Sequence, residues 1–496
     1  MKSRFQQRLL ALRTGASMPS KIIQFAILFS LLGGSTFSAS VWGLEKAEAT
    51  SPNIVFILAD DMGYGDPGCY NSESKCETPY LNELASQGMK FTDAHTAGSV
   101  CVPSRFGLLT GKYPFLAKLD WRRQAVIPED QLTVPQLLQQ NGYQTAMVGK
   151  WHLGFEDGPD YDYSKPLLGG PVHRGFDSFF GMHASLDIPP YFYMEDDRAT
   201  AAPTETVGDN NTEGWSPIQG AFWRGGPIAP DFQHDQVLDR FASEAESTLE
   251  KISGNDKPFF LFVTLPSPHT PWVPAEKFRG SGEAGLYSEF VAHVDNVVGR
   301  ILNELERRGK SDETMVIFTS DNGPVWYDED EERFQHFSAG PLRGMKGDSW
   351  EGGHRVPFIV RWPGKVAPGS ECDHLIGFVD LIATVGDLLN VELPATAGPN
   401  SVSFLDSMTG EAATSPRETI VLHHSGTVVR KGPWKLINHL GSGGFSPPKK
   451  VKHEPGLPEG QLYNLSNDLG ETKNLWEENP ELVRELLMHL DTVKSP

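Results

Sequence analysis

The run Phe259-Phe260-Leu261-Phe262-Val263 is apolar at every position. A strand of that kind must be covered on both faces, which is the situation of a parallel sheet sandwiched between helices. It extends over 259–265, and residues 53–59, 145–148, 315–319 and 357–361 read as further strands. Helix candidates fall between them at 79–87, 134–140, 236–251, 287–308 and 381–389. Pro79 at a helix start and Gly88 just past its end follow the usual asymmetry. This alternation predicts an α/β architecture, a doubly wound and mostly parallel sheet.

The pattern holds through 52–390 and then changes. Short runs at 418–423, 427–430, 434–438 and 461–464, a Gly/Pro/Lys segment (441–458) and a last helix (480–493) predict a smaller α+β domain over 391–496. It would be an antiparallel sheet with one helix on it. Residues 155–232 are rich in Gly, Pro, Asp and aromatics without a sustained period, and read as loops over the active-site face.

At the N-terminus, residues 1–44 read as an export signal. Lys2, Arg4, Arg8, Arg13 and Lys21 precede an apolar run over 22–37, and Ser38, Ala39 and Ser40 follow. The run is short for a membrane span and is interrupted by Gln24 and Ser30. The expected location is therefore periplasmic or secreted, with an uncleaved anchor as the alternative and Met18 as an alternative start. The net charge of −21 argues against nucleic-acid binding, and any anion site must be a local cluster of cations. Cys69 and Cys76 are close enough in sequence to close a short loop, which export would permit. Cys372 reads as structural.

Two of the apolar strands end in paired oxygen ligands, Asp60-Asp61 and Asp321-Asn322. Taken singly, each pair reads equally well as a turn or a helix N-cap. Ligand sites in open α/β sheets lie beyond the carboxyl ends of strands, so adjacent strands would bring three carboxylates and one amide to a point. Like charges held that close require a cation, and an all-oxygen set favours Ca²⁺ or Mg²⁺ over zinc. Lys150 and His152, in Gly149-Lys150-Trp151-His152-Leu153-Gly154, also follow a short β run. His269 follows the strongest strand within Pro266-Ser267-Pro268-His269-Thr270-Pro271-Trp272. Lys346 sits between Gly344 and Gly347, which allow close approach of backbone to an anion.

The segment Cys101-Val102-Pro103-Ser104-Arg105, followed by Leu109-Thr110-Gly111, resembles the signature of the type I sulfatases. Other motifs of that family are present in order: Asp61-Met62-Gly63-Tyr64-Gly65-Asp66, the Gly149–Gly154 hexapeptide, Pro268-His269-Thr270-Pro271, and Gly344-Met345-Lys346-Gly347 with Glu351-Gly352-Gly353. The last is Leu462-Tyr463-Asn464-Leu465 through Leu475, with Asn464 and Leu469 where the family has Asp and Pro. Together they span about residues 52–480, and the resemblance is to the arylsulfatase A or N-acetylgalactosamine-6-sulfatase type.

The resemblance implies an alkaline-phosphatase-like fold and a sulfuric ester hydrolase acting on a sulfated carbohydrate, and on aryl sulfates. It implies one Ca²⁺ per chain at Asp60, Asp61, Asp321, Asn322 and the modified Cys101. A maturation enzyme reading Cys-x-Pro-x-Arg would oxidise Cys101 to formylglycine, whose hydrate attacks sulfur. Arg105 and Lys150 would hold that residue and its sulfate ester, His152 would take the proton of its second hydroxyl, His269 would serve the leaving oxygen, and Lys346 would complete the sulfate pocket. The implied partners are a sulfated glycan, the formylglycine-generating enzyme and the export machinery. The residue types suit the chemistry, because cations placed where negative charge develops stabilise the transition state, and histidine serves as acid or base near neutrality. His354 departs from the aliphatic residue many relatives carry before Arg355. It would either touch substrate or, as the habits of buried histidines favour, be structural. Two rivals share the scaffold: a phosphonate or phosphodiester monoesterase, and an inactive glycan-binding homologue. The intact catalytic positions argue against the second.

Overall fold

The computed structural model describes residues 51–494 except 159, 160, 217, 424 and 425. The export signal expected over 1–44 lies outside the described residues.

Strand Asn53–Asp60 runs through the middle of a ten-stranded sheet, parallel to Phe259–Pro268 on one side and Thr314–Ser320 on the other. Gln144–Lys150 and then Ser178–Met182 continue the parallel order beyond Phe259–Pro268. Every residue of the three central strands is buried, as their unbroken apolar runs require. Ile54, Phe56, Phe260 and Ile317 meet the helices Val134–Gln140 and Leu381–Leu389. Helices Val237–Ile252 and Gly285–Arg307 pack on one another and on Phe259–Pro268. Their apolar positions recur at helical spacing, for instance Leu238, Phe241, Ala242, Ala245 and Leu249.

The sheet turns antiparallel near its edges. The strand expected at 357–361 forms as Phe358–Arg361 and pairs antiparallel with Thr314–Ser320, and Met89–Phe91 pairs antiparallel with it in turn. Residues 155–232 are more ordered than their composition suggested. They supply the Ser178–Met182 strand and the short edge strands Tyr193–Glu195 and Arg198–Ala199. These pieces are too short, and too interrupted by Gly, Pro and Asp, to show a period.

Thr419–His423, Thr427–Lys431, Trp434–Ile437 and Gln461–Asn464 form an antiparallel four-stranded sheet in sequence order. Helix Pro480–Lys494 lies against its second strand. Buried ions fasten this sheet to the larger one. Lys435 Nζ, fully buried, is 3.0 Å from Glu351 Oε1 and 2.8 Å from Glu471 Oε1, and Arg430 reaches Asp93 at 3.0 Å. His354 belongs to this cluster: its Nδ1 is 3.0 Å from His95 Nδ1 and its Nε2 is 3.2 Å from Lys435 Nζ. It is a structural histidine.

Cys69 and Cys76 are free thiols, and Cys76 Sγ sits 3.7 Å from His336 Nε2.

Arg417 makes a second junction. It pairs with Asp380 through Nε at 2.8 Å and through Nη2, and donates to the carbonyls of Asn400 and Thr419 at 2.6 and 2.9 Å. Replacing it strands a buried carboxylate, so Arg417→Ala should cost about 3–5 kcal/mol in urea unfolding. A loss under about 1 kcal/mol, the range of a surface pair, would show that the junction carries little.

Candidate active site

Three parallel strands deliver their last residues to one place. Asp60 ends the central strand, and Asp61 leaves it in the left-handed region (φ 64) that Asp tolerates better than most residues. Asp321 follows Thr314–Ser320, and its amide donates to Ala59 O at 3.0 Å. Asp61 N lies 3.4 Å from Asp321 Oδ1, and Asn322 Nδ2 donates to Asp61 Oδ1 at 2.6 Å. The four oxygen-bearing residues singled out in the sequence are thus assembled, and all are buried.

Helix Cys101–Thr110 begins at Cys101 itself, so Cys101 and Arg105, four residues apart, share one face. Arg105 is 2% exposed. It donates from Nη2 to Asp60 Oδ2 at 2.7 Å, from Nε to Asp321 Oδ2 at 3.0 Å, and from Nη1 to Lys150 O at 2.9 Å. Lys150 Nζ pairs closely with Asp60 Oδ2, donates to Ser185 Oγ at 2.5 Å, and stands 3.6 Å from Cys101 Sγ. The preceding Gly149, at φ 122, is required here because a Cβ would fall 1.9 Å from Thr264 O of the adjacent strand. Lys346 Nζ reaches Asp61 at 2.6 Å.

Burial, opposed in part by nearby cations, sets the proton positions. The Cys101 thiol is pushed well up by burial and by Asp60, so it stays protonated. Burial and then Asp60 raise Asp321 to about 7, while Lys150, with help from other cations, outweighs burial and holds Asp60 well below the usual carboxylate range. His152 is driven well down by burial, Lys150 and Arg105. It is therefore neutral near pH 7. Both its ring nitrogens are buried without a partner, and its ring stands edge-on to Trp121 at 4.4 Å. His269 Nδ1 lies 2.6 Å from Thr270 O. A carbonyl only accepts, so Nδ1 carries the proton and Nε2 is the free position, 3.7 Å from Asp61 Oδ2.

A cavity of about 600 Å³ opens above Cys101, with His152, His269 and Lys346 in its floor and Phe115, Trp121 and Arg122 in its wall. Sequence reasoning did not single out three further lining residues, Ser185, Asp187 and Arg224. Asp187 pairs with Arg224 through Oδ2, while its buried Oδ1 has no partner and lies 4.0 Å from His269 Nδ1. All three come from the aperiodic stretch, and no motif marked them.

The arrangement fits a divalent cation. Three carboxylates converge with Asn322, whose Oδ1 is buried and unpartnered, and such an all-oxygen set suits a hard ion. Ligand atoms of Asp60, Asp61, Cys101 and His269 also lie within 4.8 Å of one another, which adds His269 to the residues near the expected ion.

Buried cations and a carboxylate cluster suited to a divalent ion, grouped under an open pocket at the carboxyl edge of a parallel sheet, fit an enzyme that acts on an anionic ester. The sulfatase family model matches residues 52–391. The chain is 34% identical to the N-acetylgalactosamine-6-O-sulfatase of Bacteroides thetaiotaomicron, covering 90% of this chain and 93% of that one. It is 32% identical to arylsulfatase A of Homo sapiens, over 86% and 84% of the two chains. A solved structure concerning metabolism of multiple glycosaminoglycans by Bacteroides thetaiotaomicron has a TM-score of 0.79 at 31% identity, and the alignment covers 90% of this chain and 100% of that one. The chain belongs to the sulfatase family and is a sulfuric ester hydrolase on an alkaline-phosphatase-like fold.

Lysine cannot replace the planar fork of Arg105, which serves acceptors on three strands at once. Arg105→Lys should lower kcat/KM on nitrophenyl sulfate by about 100-fold or more, whereas activity within about threefold of the parent would show that only the charge matters.

Proposed function

We propose that the protein removes sulfate from a sulfated carbohydrate, using formylglycine made from Cys101 and one bound Ca²⁺, after export through its N-terminal segment. The observation that carries this reading is a buried Cys101 at its helix start, its Sγ 3.6 Å from both Asp60 Oδ1 and Lys150 Nζ, at the floor of a cavity that Lys346 also lines. Burial and Asp60 push its thiol up, which keeps it protonated. A thiol held protonated is a poor nucleophile, so the helix N-terminus is built around a cysteine that this site does not itself activate. The resemblance of 101–105 to the maturation signature supplies the remedy. Formylglycine as its hydrate supplies one hydroxyl to attack sulfur and a second through which sulfate is expelled. Ca²⁺ would be held by Asp60, Asp61, Asp321 and Asn322 and would supply positive charge opposite the sulfate oxygens.

The chain's own residues do the rest. Lys346 and Lys150 receive sulfate oxygens, and Arg105 fixes the carboxylates between them. Neutral His152, with both nitrogens free, takes the proton of the second hydroxyl. His269, its Nδ1–H anchored on Thr270 O, presents Nε2 to the leaving oxygen and donates a proton there in its doubly protonated, imidazolium form, returning to the Nδ1–H tautomer. The Asp187 and Arg224 pair offers an acceptor and donors to hydroxyl groups of the departing alcohol. A carbohydrate substrate is supported by those polar groups, by the Trp121 and Phe115 wall, and by relatives whose names specify sulfated N-acetylgalactosamine.

Protein co-expressed with a formylglycine-generating enzyme should give a Cys101 peptide carrying the aldehyde, by mass spectrometry. Cysteine alone in that peptide would contradict the reading. Proton donation matters most for poor leaving groups. His269→Ala should therefore reduce turnover of N-acetylgalactosamine 6-sulfate at least about tenfold more than that of nitrophenyl sulfate. Equal losses on the two would make His269 a binding residue.

A further inference from the structure

We infer that the exposed run Lys449, Lys450, Lys452 is an outer anion subsite, which takes a second sulfate or carboxylate of a polyanionic glycan whose first sulfate lies over Cys101. The inference rests on the carbohydrate reading above and specifies the substrate as a chain bearing more than one negative group.

The three lysines and His453 are all exposed, and among the described residues none of the lysines forms an ion pair. The run stands out in a chain whose net charge is −21, because the overall field repels an approaching polyanion and only a local cluster of cations can receive it. At physiological ionic strength the reach of such a cluster is about 8 Å, so its position decides whether it matters.

For Lys449, the first of the three, that position is fixed through Phe445. Phe445, at the start of the same loop, lines a cavity together with Lys346 and His269, and Lys449 Nζ lies 5.8 Å from the centre of its ring. The loop is bound to the turn that carries Lys346. Asp348 Oδ1 accepts from Phe445 N at 2.8 Å and from Ser446 N at 3.1 Å, and Ser349 N donates to Ser442 O at 2.8 Å. Gly444 packs so closely on Gly347 that a Cβ there would fall 2.1 Å from its carbonyl carbon. The lysine-bearing segment is then tied back, with Ser442 N donating to Pro448 O at 3.0 Å and Gly443 N to Lys449 O at 2.9 Å. Lys449 is thus mounted on a braced loop beside the pocket, and Lys450 and Lys452 follow it in the same exposed segment. A freely moving tail would place no second anion in register with the first.

The test compares the parent with the triple variant Lys449→Gln, Lys450→Gln, Lys452→Gln. The substrates are N-acetylgalactosamine 6-sulfate, a tetrasaccharide of that sugar alternating with glucuronate, and the same tetrasaccharide carrying one sulfate and reduced carboxyls. The variant should raise KM for the polyanionic tetrasaccharide about tenfold and flatten its dependence on salt. Its kcat/KM should stay within about twofold on the monosaccharide and the neutralised tetrasaccharide, since neither offers a second charge. Nitrophenyl sulfate activity serves as the folding control. An unchanged KM and salt response on the polyanionic tetrasaccharide would overturn the subsite alone. Turnover of nitrophenyl sulfate by the parent with none of any sugar sulfate would overturn the carbohydrate reading and the subsite with it.

Discussion

The guanidinium of Arg105 is the contact on which the site depends. Asp60 and Asp321 end neighbouring parallel strands, and their carboxylates would repel one another in a dry interior. Arg105 takes an oxygen from each and a carbonyl from a third strand end, which fixes the spacing between strands and sets the face of helix Cys101–Thr110 that meets them. Cys101 is on that face. The residue that holds the charges together therefore also aims Cys101, where the proposed chemistry would begin, and only Arg among the cations has a rigid fork able to do both.

The segment bearing Lys346 is held from the opposite side. Asp348 and Ser349 bond the 442–446 loop, and Glu351 enters the buried cluster of Lys435, Arg430 and Glu471. Each of those partners lies past residue 390, so the segment after 390 positions Lys346 in the cavity, and the smaller sheet also lends His423 to the lining. Buried ions of this kind add little net stability when complete and cost a great deal when broken. Their effect is to fix one arrangement of the two sheets.

Much of this was legible in the sequence because it depends on local signals. The all-apolar run at 259–265 announced a doubly covered strand, and Pro79, Gly88 and the periodic helices marked their own ends. Asp60-Asp61 and Asp321-Asn322 could be placed together because open parallel sheets gather ligands at strand ends. Ser185, Asp187 and Arg224 could not be found that way. Each lies in a stretch with no period, and they acquire their roles only when the chain brings Ser185 against Lys150, Asp187 beside His269, and Arg224 against Asp187. His354 illustrates the converse, since its unusual residue type raised substrate contact beside the favoured structural reading, and only its neighbours His95 and Lys435 decide for the latter. The antiparallel pairing of Phe358–Arg361 was equally invisible, because strand direction is set by a connection and not by the strand's own residues.

With all three ionised, Asp60, Asp61 and Asp321 balance Arg105, Lys150 and Lys346 one for one, which leaves no surplus of positive charge for a sulfate. A divalent ion held there would supply that surplus, and the unpartnered Oδ1 of Asn322 would supply the neutral fourth oxygen. The most direct measurement is calorimetric titration of metal-stripped protein with Ca²⁺. The account predicts one ion per chain in the parent and no binding by a folded Asp321→Ala variant, its fold checked by circular dichroism because the substitution also removes a buried partner of Arg105. No bound calcium in the parent, or equal binding by the variant, would contradict it.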